Sequence, residues 1–184
     1  MFITGLLLQL LLVAEPIHQT LRVPADVWDV TAQDLDHDGI QDLIAFYGEQ
    51  SDDVVKKGFY VFIARKNGSY SKDPSLDFPV DPKTGNAFFT RRDGDAQLVI
   101  LTESGATQYR FQDNTFVESA QFEFRSLLPT RTRESIFFRK ISYDLNDDDS
   151  EEWIIPVLGG FDVWDIAGKL THLEADIQSE AFRY

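Results

Sequence analysis

The sequence contains no cysteine and few basic residues or histidines. Without cysteine, the chain has no disulfide, no thiolate metal site and no cysteine nucleophile. The three histidines, His18, His37 and His172, lack the spacing of a zinc site. Lys and Arg number 17 against 31 Asp and Glu, giving a net charge of −14, and such a surface repels nucleic acid and anionic membranes. The composition therefore argues against a nucleic-acid partner and favours a bound cation.

Long hydrophobic runs are also scarce. The apolar segment at residues 1–14, MFITGLLLQLLLVA, is too short to span a bilayer as a helix. It is typical of the hydrophobic region of a signal peptide. It predicts an exported protein, secreted, periplasmic or at the cell surface, with no membrane span. The alternative is a buried first strand or helix of the fold.

Sustained helical periodicity is absent as well, and the rest of the chain has the pattern of short strands. Aromatic and β-branched runs alternate with turn clusters rich in Asn, Asp, Gly and Pro. These runs predict an all-β sandwich or propeller-like array of sheets. The predicted strands lie at residues 27–31, 43–47, 59–64, 98–101, 116–118, 153–158 and 161–166.

The two most acidic segments share one pattern of oxygen-bearing side chains. DLDHDGIQDLIAF begins at Asp34 and DLNDDDSEEWIIP begins at Asp144. The first, third, fifth and ninth places of both segments are acidic or amide residues. Midway between them, FTRRDGDAQLVIL begins at Phe89 and keeps the central Asp-Gly and the apolar strand, but not the other oxygen donors. Three equally spaced copies predict an internal repeat.

Alternating oxygen donors in a tight loop are suited to calcium, which prefers six to eight oxygens at about 2.3–2.6 Å. The odd places of each loop are expected to face the ion, and a flexible residue at the sixth place, Gly39 in the first loop, permits the sharp turn. His37, at an even place, is expected to point outward. Asp149, at the sixth place of the second loop, is expected to adopt a left-handed conformation. The predicted ligands are Asp34, Asp36, Asp38, Asp42, the Ile40 carbonyl, Asp144, Asn146, Asp148, Glu152 and the Ser150 carbonyl.

These loops have two other interpretations. An EF-hand needs a bidentate Glu at the twelfth place, where this chain has Ala45 and Ile155, and a strand rather than a helix follows each loop. The second alternative is a solvated acidic turn without an ion. In the middle copy, Arg91 is expected either to pair with Asp93 or Asp95 in place of an ion or to be solvated.

The run DLDHDGIQDLIAFYG resembles the calcium loop of FG-GAP and VCBS repeat proteins, which build integrin-α-like β-propeller blades. The pattern D-x-[DN]-x-D-G-x-x-D is complete in the first copy and degenerate in the other two. The resemblance implies three propeller-like, four-stranded antiparallel blades in series, as a partial or open β-propeller. The expected repeat domain is residues 20–184, with approximate blades at 20–77, 78–132 and 133–184.

The resemblance implies an exported, calcium-binding and non-catalytic module that recognises a protein or a glycan. Three blades are fewer than the four to eight of a closed propeller, so self-association or further blades are expected. One alternative function is the scaffold portion of a polysaccharide-acting enzyme. Another is a structural remnant without independent activity.

Overall fold

In the computed structural model, the described residues are 19–51, 54–82, 84, 86–102, 104–127, 137–138, 140–165 and 167–175. The predicted signal segment at residues 1–14 lies outside them. The described residues form strands and turns and contain no α-helix. Accordingly, this part of the chain has no helical segment capable of crossing a membrane.

The strands form three open sheets that follow one another along the chain. The first sheet is an antiparallel meander of four strands. The third sheet has the same order and the same antiparallel pairing. The all-β fold with propeller-like blades in series is thus confirmed. The first sheet comprises β1 (Asp26–Gln33), β2 (Asp42–Ser51), β3 (Val54–Phe62) and β4 (Leu76–Val80).

The second sheet differs from the predicted four strands by one short addition. It comprises β5 (Asn86–Arg92), β6 (Asp95–Thr102), β7 (Gly105–Gln112), β8 (Thr115–Glu123) and β9 (Phe137–Phe138). The two-residue strand β9 pairs in parallel with the start of β5. This pairing occupies part of the edge of β5 that the antiparallel meander leaves open.

The third sheet comprises β10 (Ser142–Tyr143), β11 (Glu152–Val157), β12 (Gly160–Asp165) and β13 (Gly168–Glu174). Pro156 lies in β11 beyond the two residues that pair with β10, so its missing N–H costs no ladder bond there. Its carbonyl instead accepts a hydrogen bond from Leu127 N at 2.8 Å.

The core is shared between sheets, because the second sheet is buried on both faces. Leu98 and Ile100 of β6 pack against the first sheet, whereas Val99 and Leu101 pack against Trp153 and the rest of the third sheet. A strand buried on both faces is a continuous apolar run rather than an alternating one. This burial explains why LVIL stands out in the sequence.

The outer face of the first sheet has its own aromatic cluster. Tyr47 and Tyr60 stack with ring centroids 4.2 Å apart, and Leu21 and Tyr70 from flanking segments pack against them. The Tyr47 hydroxyl donates to Asp77 at 2.7 Å. Burial, followed by this hydrogen bond and the nearby Asp77 charge, raises the pKa of Tyr47.

Candidate metal centre

The first acidic loop connects β1 to β2. The carboxylates of Asp34, Asp36 and Asp42 each bring an oxygen to within 4.8 Å of the other two. Asp34 Oδ1 is buried and has no hydrogen-bond partner. Within the part of the chain that the structure describes, this loop is where three carboxylates converge so closely.

Backbone N–H groups hold the carboxylates of the first loop in place. Gly39 N donates to Asp34 Oδ2 at 3.0 Å, and Ile40 N donates to Asp38 Oδ1 at 2.8 Å. Leu35 N donates to Asp42 Oδ2 at 2.9 Å. The turn needs left-handed backbone at His37 (φ 62°) and Gly39 (φ 84°).

The second acidic loop connects β10 to β11 and has the same conformation. Asp149 N donates to Asp144 Oδ2 at 3.1 Å, Ser150 N to Asp148 Oδ1 at 2.9 Å, and Leu145 N to Glu152 Oε2 at 2.8 Å. These bonds join the same places as in the first loop. Asp147 (φ 59°) and Asp149 (φ 66°) take the two left-handed positions, so the expectation for Asp149 is confirmed.

One substitution changes the inside of the second loop. Asn146 stands where the first loop has Asp36, and its Nδ2 donates to Asp148 Oδ2 at 3.0 Å and to Glu152 Oε1 at 3.2 Å. Its Oδ1 accepts from Asp148 N at 3.0 Å. The amide thereby supplies donors that the all-carboxylate first loop lacks. The carbonyl ligands predicted at Ile40 and Ser150 stay predictions.

Asp42 lies at the bottom of the first loop and is fully buried. Its two oxygens accept from Leu35 N and from Ala64 N, the latter at 2.8 Å. Burial raises the pKa of Asp42, the two hydrogen bonds oppose this rise, and the neighbouring charges of Asp36 and Asp34 add to it. The loop therefore concentrates like charges that a cation would neutralise.

His37 lies outside the group of carboxylates. Its Nε2 is 3.4 Å from Asp95 Oδ1, and about half of its side chain is exposed. Since Asp95 begins β6, His37 connects the first loop to the β5–β6 hairpin of the second sheet.

The middle copy is a tight hairpin rather than a degenerate loop. Phe89 and Arg91 lie in β5, Gln97 lies in β6, and only Asp93 (φ 50°) and Gly94 (φ 87°) form the turn. An Asp-Gly pair with both φ values positive is the favoured two-residue hairpin connection.

Of the two alternatives for Arg91 in this hairpin, the ion pair with Asp93 or Asp95 is not found among the described residues. Arg92 Nε, not Arg91, lies 3.5 Å from Asp93 Oδ2, while Asp95 is paired with His37. Neighbouring residues of a strand point to opposite faces, so Arg91 and Arg92 cannot share one partner easily.

A contact that sequence reasoning missed attaches the second loop to the second sheet. Glu151 N donates to Arg91 O at 2.9 Å, and Arg91 N donates to Glu151 Oε2 at 2.9 Å. The Ser142 hydroxyl donates to the same carboxylate oxygen at 2.9 Å. Glu151 and Glu152 thus both accept backbone hydrogen bonds, Glu151 from Arg91 N of the second sheet and Glu152 from Leu145 N of its own loop.

Comparisons with protein-family models, curated proteins and solved structures give no match to this chain. The resemblance to FG-GAP and VCBS repeats therefore stays a prediction that rests on the residues of the two loops.

Proposed function

We propose that this chain is an exported, calcium-binding repeat module of the β-propeller type that recognises a protein or a glycan and has no catalytic role. The observation that carries the proposal is the equivalence of the two acidic loops. They are distant in sequence, yet they place oxygen donors at the same four positions on the same hydrogen-bonded backbone.

The donor set of the first loop is suited to a hard divalent cation. Three carboxylates converge, and the buried Asp34 Oδ1 has no partner, although buried polar atoms nearly always have one. Both oxygens of Asp42 already accept an N–H, but each keeps a second lone pair for a ligand bond. In the second loop, Asp144, Asn146, Asp148 and Glu152 would hold the ion.

The proposed role of calcium is to stabilise the fold that presents the recognition surface. Neutralising the first loop would remove repulsion at the junction of β1 and β2. In the second loop, the ion would fix the segment that holds Glu151 against β5. An ion that binds the folded state alone raises the free energy of unfolding by linkage.

Equilibrium dialysis of the full chain against calcium tests this proposal. Extracellular calcium modules have dissociation constants of about 10⁻⁴–10⁻³ M, so about 5 mM calcium should load two ions per chain. Asp36→Ala and Asp148→Ala should each lose one ion, because alanine has no oxygen to donate. The control is Asp113→Asn, which removes an acidic charge from the β7–β8 turn. Absence of bound calcium in the wild-type protein would refute the proposal.

A further inference from the structure

A cleft of about 310 Å³ lies where the first strands of the three sheets approach one another. The strand β1 contributes Thr31 and Gln33, β5 contributes Phe89 and Arg91, and Lys140 comes from the segment just before β10. The cleft does not include the ligand places of either acidic loop, but Glu151, the eighth residue of the second loop, lines it. Arg91 also borders a neighbouring cleft that includes Asn146, Asp148 and Glu152.

The charge of this cleft is opposite to that of the protein. The chain has a net charge of −14, but Arg91 and Lys140 bring two positive side chains to the cleft. Lys140 Nζ lies 5.4 Å from the centre of the Tyr143 ring, an exposed aromatic at the border of the cleft that does not line it. The negative charge of Glu151 also borders the cleft, but its carboxylate already accepts the Arg91 N–H and the Ser142 hydroxyl.

Several polar side chains of the cleft are available to a ligand. Among the described residues, the side chains of Thr31 and Gln33 have no hydrogen-bond partner, and the Arg91 guanidinium has no ion pair. Phe89 adds a half-buried apolar wall. A small cleft with a few convergent polar groups beside an aromatic wall is typical of a ligand site.

We infer that this cleft binds the carboxylate of an acidic sugar, with Arg91 and Lys140 on the carboxylate and Thr31 and Gln33 on ring hydroxyls. A guanidinium is the side chain best matched to a carboxylate. The hydroxyl and amide groups match a polyhydroxylated ring, and the volume suits about one ring. This assignment rests on the recognition role proposed above and gives it a ligand class. The predicted calcium ligands of the acidic loops take no part in it.

The matched variants are Arg91→Gln and Arg92→Gln. Both remove one positive charge, but Arg92 pairs with Asp93 and does not line the cleft. Loss of a charged hydrogen bond should weaken binding about tenfold or more in Arg91→Gln, and Lys140→Gln should weaken it in the same direction. Arg92→Gln should bind like the wild type, and its circular dichroism and that of Arg91→Gln should both match the wild-type spectrum.

The experiment is a calorimetric titration of the full chain with glucuronate, glucose and N-acetylglutamate, in calcium and in chelator. Glucuronate should bind, glucose should bind much more weakly, and high salt should weaken glucuronate binding. The inference is overturned if glucuronate does not bind, if glucose binds equally, if N-acetylglutamate binds in its place, or if Arg91→Gln has no effect.

These results separate the two proposals. Calcium loading without glucuronate binding would overturn the acidic-sugar site alone. Glucuronate binding without calcium loading would support the site and refute the calcium role.

Discussion

At the scale of single residues, the sixth place of each acidic loop shows how one backbone conformation is reached by two residue types. Gly39 and Asp149 both have positive φ, which glycine adopts without cost and aspartate tolerates better than most residues. No atom lies within 4 Å of a Cβ added at Gly39. The cost of a substitution there is therefore conformational rather than steric.

Gly39→Ala should lower the free energy of unfolding by about 1–2 kcal/mol, the cost of left-handed backbone for an L-residue. Asp149→Gly should raise it, because the same cost is relieved. Urea denaturation in the presence of chelator measures both changes without an ion. Equal stability of Gly39→Ala and the wild type would contradict the left-handed assignment.

A second residue-scale prediction concerns a charge cluster in the third sheet. Asp162 of β12 is almost buried, and its Oδ1 lies 2.7 Å from Lys169 Nζ and 2.7 Å from His172 Nδ1, both in β13. Burial raises the pKa of Asp162, but the hydrogen bonds and charges of Lys169 and His172 outweigh it and leave the pKa below the usual 3.8. The ionised form is thus favoured by folding.

The pKa of Asp162 is lower in the folded state than the usual value of 3.8. Its contribution to the free energy of unfolding is therefore fully present above pH 3.8 and is lost as the pH falls through the lowered pKa. Asp162→Asn should cost about 1–3 kcal/mol at pH 7, and the cost should shrink in acid. Urea denaturation at several pH values measures this difference. If the cost of Asp162→Asn does not change with pH, the lowered pKa of Asp162 is contradicted. The control is Asp113→Asn.

At the scale of elements, β6 is the strand on which both inter-sheet cores depend. Ile100 faces the first sheet and Leu101 faces the third, and both are at least 96% buried. Successive side chains of a strand point to opposite faces of the sheet, so neighbouring residues of β6 pack into different cores.

Ile100→Ala and Leu101→Ala should each lower the free energy of unfolding by about 2–5 kcal/mol, the usual cost of truncating a buried aliphatic side chain. Val117→Ala in β8, where the side chain is 45% exposed, should stay within about 0.5 kcal/mol. Chemical denaturation provides the comparison. A small effect at only one of the two β6 positions would show that the corresponding sheet does not pack as described.

The sequence predicted strands best where a short apolar run stands between turn clusters. The run 98–101 was recognisable as β6, whereas β4, β5 and β13 lay outside the predicted runs. β13 is almost entirely exposed, and β5 ends in Thr90, Arg91 and Arg92. Neither of these two strands carries the long apolar run or the regular alternation on which strand prediction depends.

The candidate site was predictable only in its local part. Ligand spacing within nine consecutive residues follows from the sequence, because a tight loop brings alternate residues together. The contacts of Glu151 with Arg91 and of His37 with Asp95 join different sheets, and no local pattern encodes such pairs. The cleft between the first strands of the three sheets depends on the same long-range packing.

At the scale of the whole molecule, the sheets are interdependent rather than autonomous. The second sheet supplies one face to each core, and each acidic loop contacts it through a side chain. A change in either loop should therefore affect the unfolding of the whole described fold. Calcium is the proposed agent of such a change.

The central claim is that the acidic loops bind calcium and stabilise this fold. Thermal unfolding of the full chain with calcium, magnesium or chelator, beside an Asp34→Ala/Asp36→Ala variant, tests it most directly. Calcium at ten times its dissociation constant should raise the free energy of unfolding by about 1.4 kcal/mol per site, which raises the melting temperature by about 3–6 °C per site. The variant should lack the part of this rise that the first loop contributes. An unchanged melting temperature, or an equal shift in the variant, would contradict the claim and leave the loops as solvated turns.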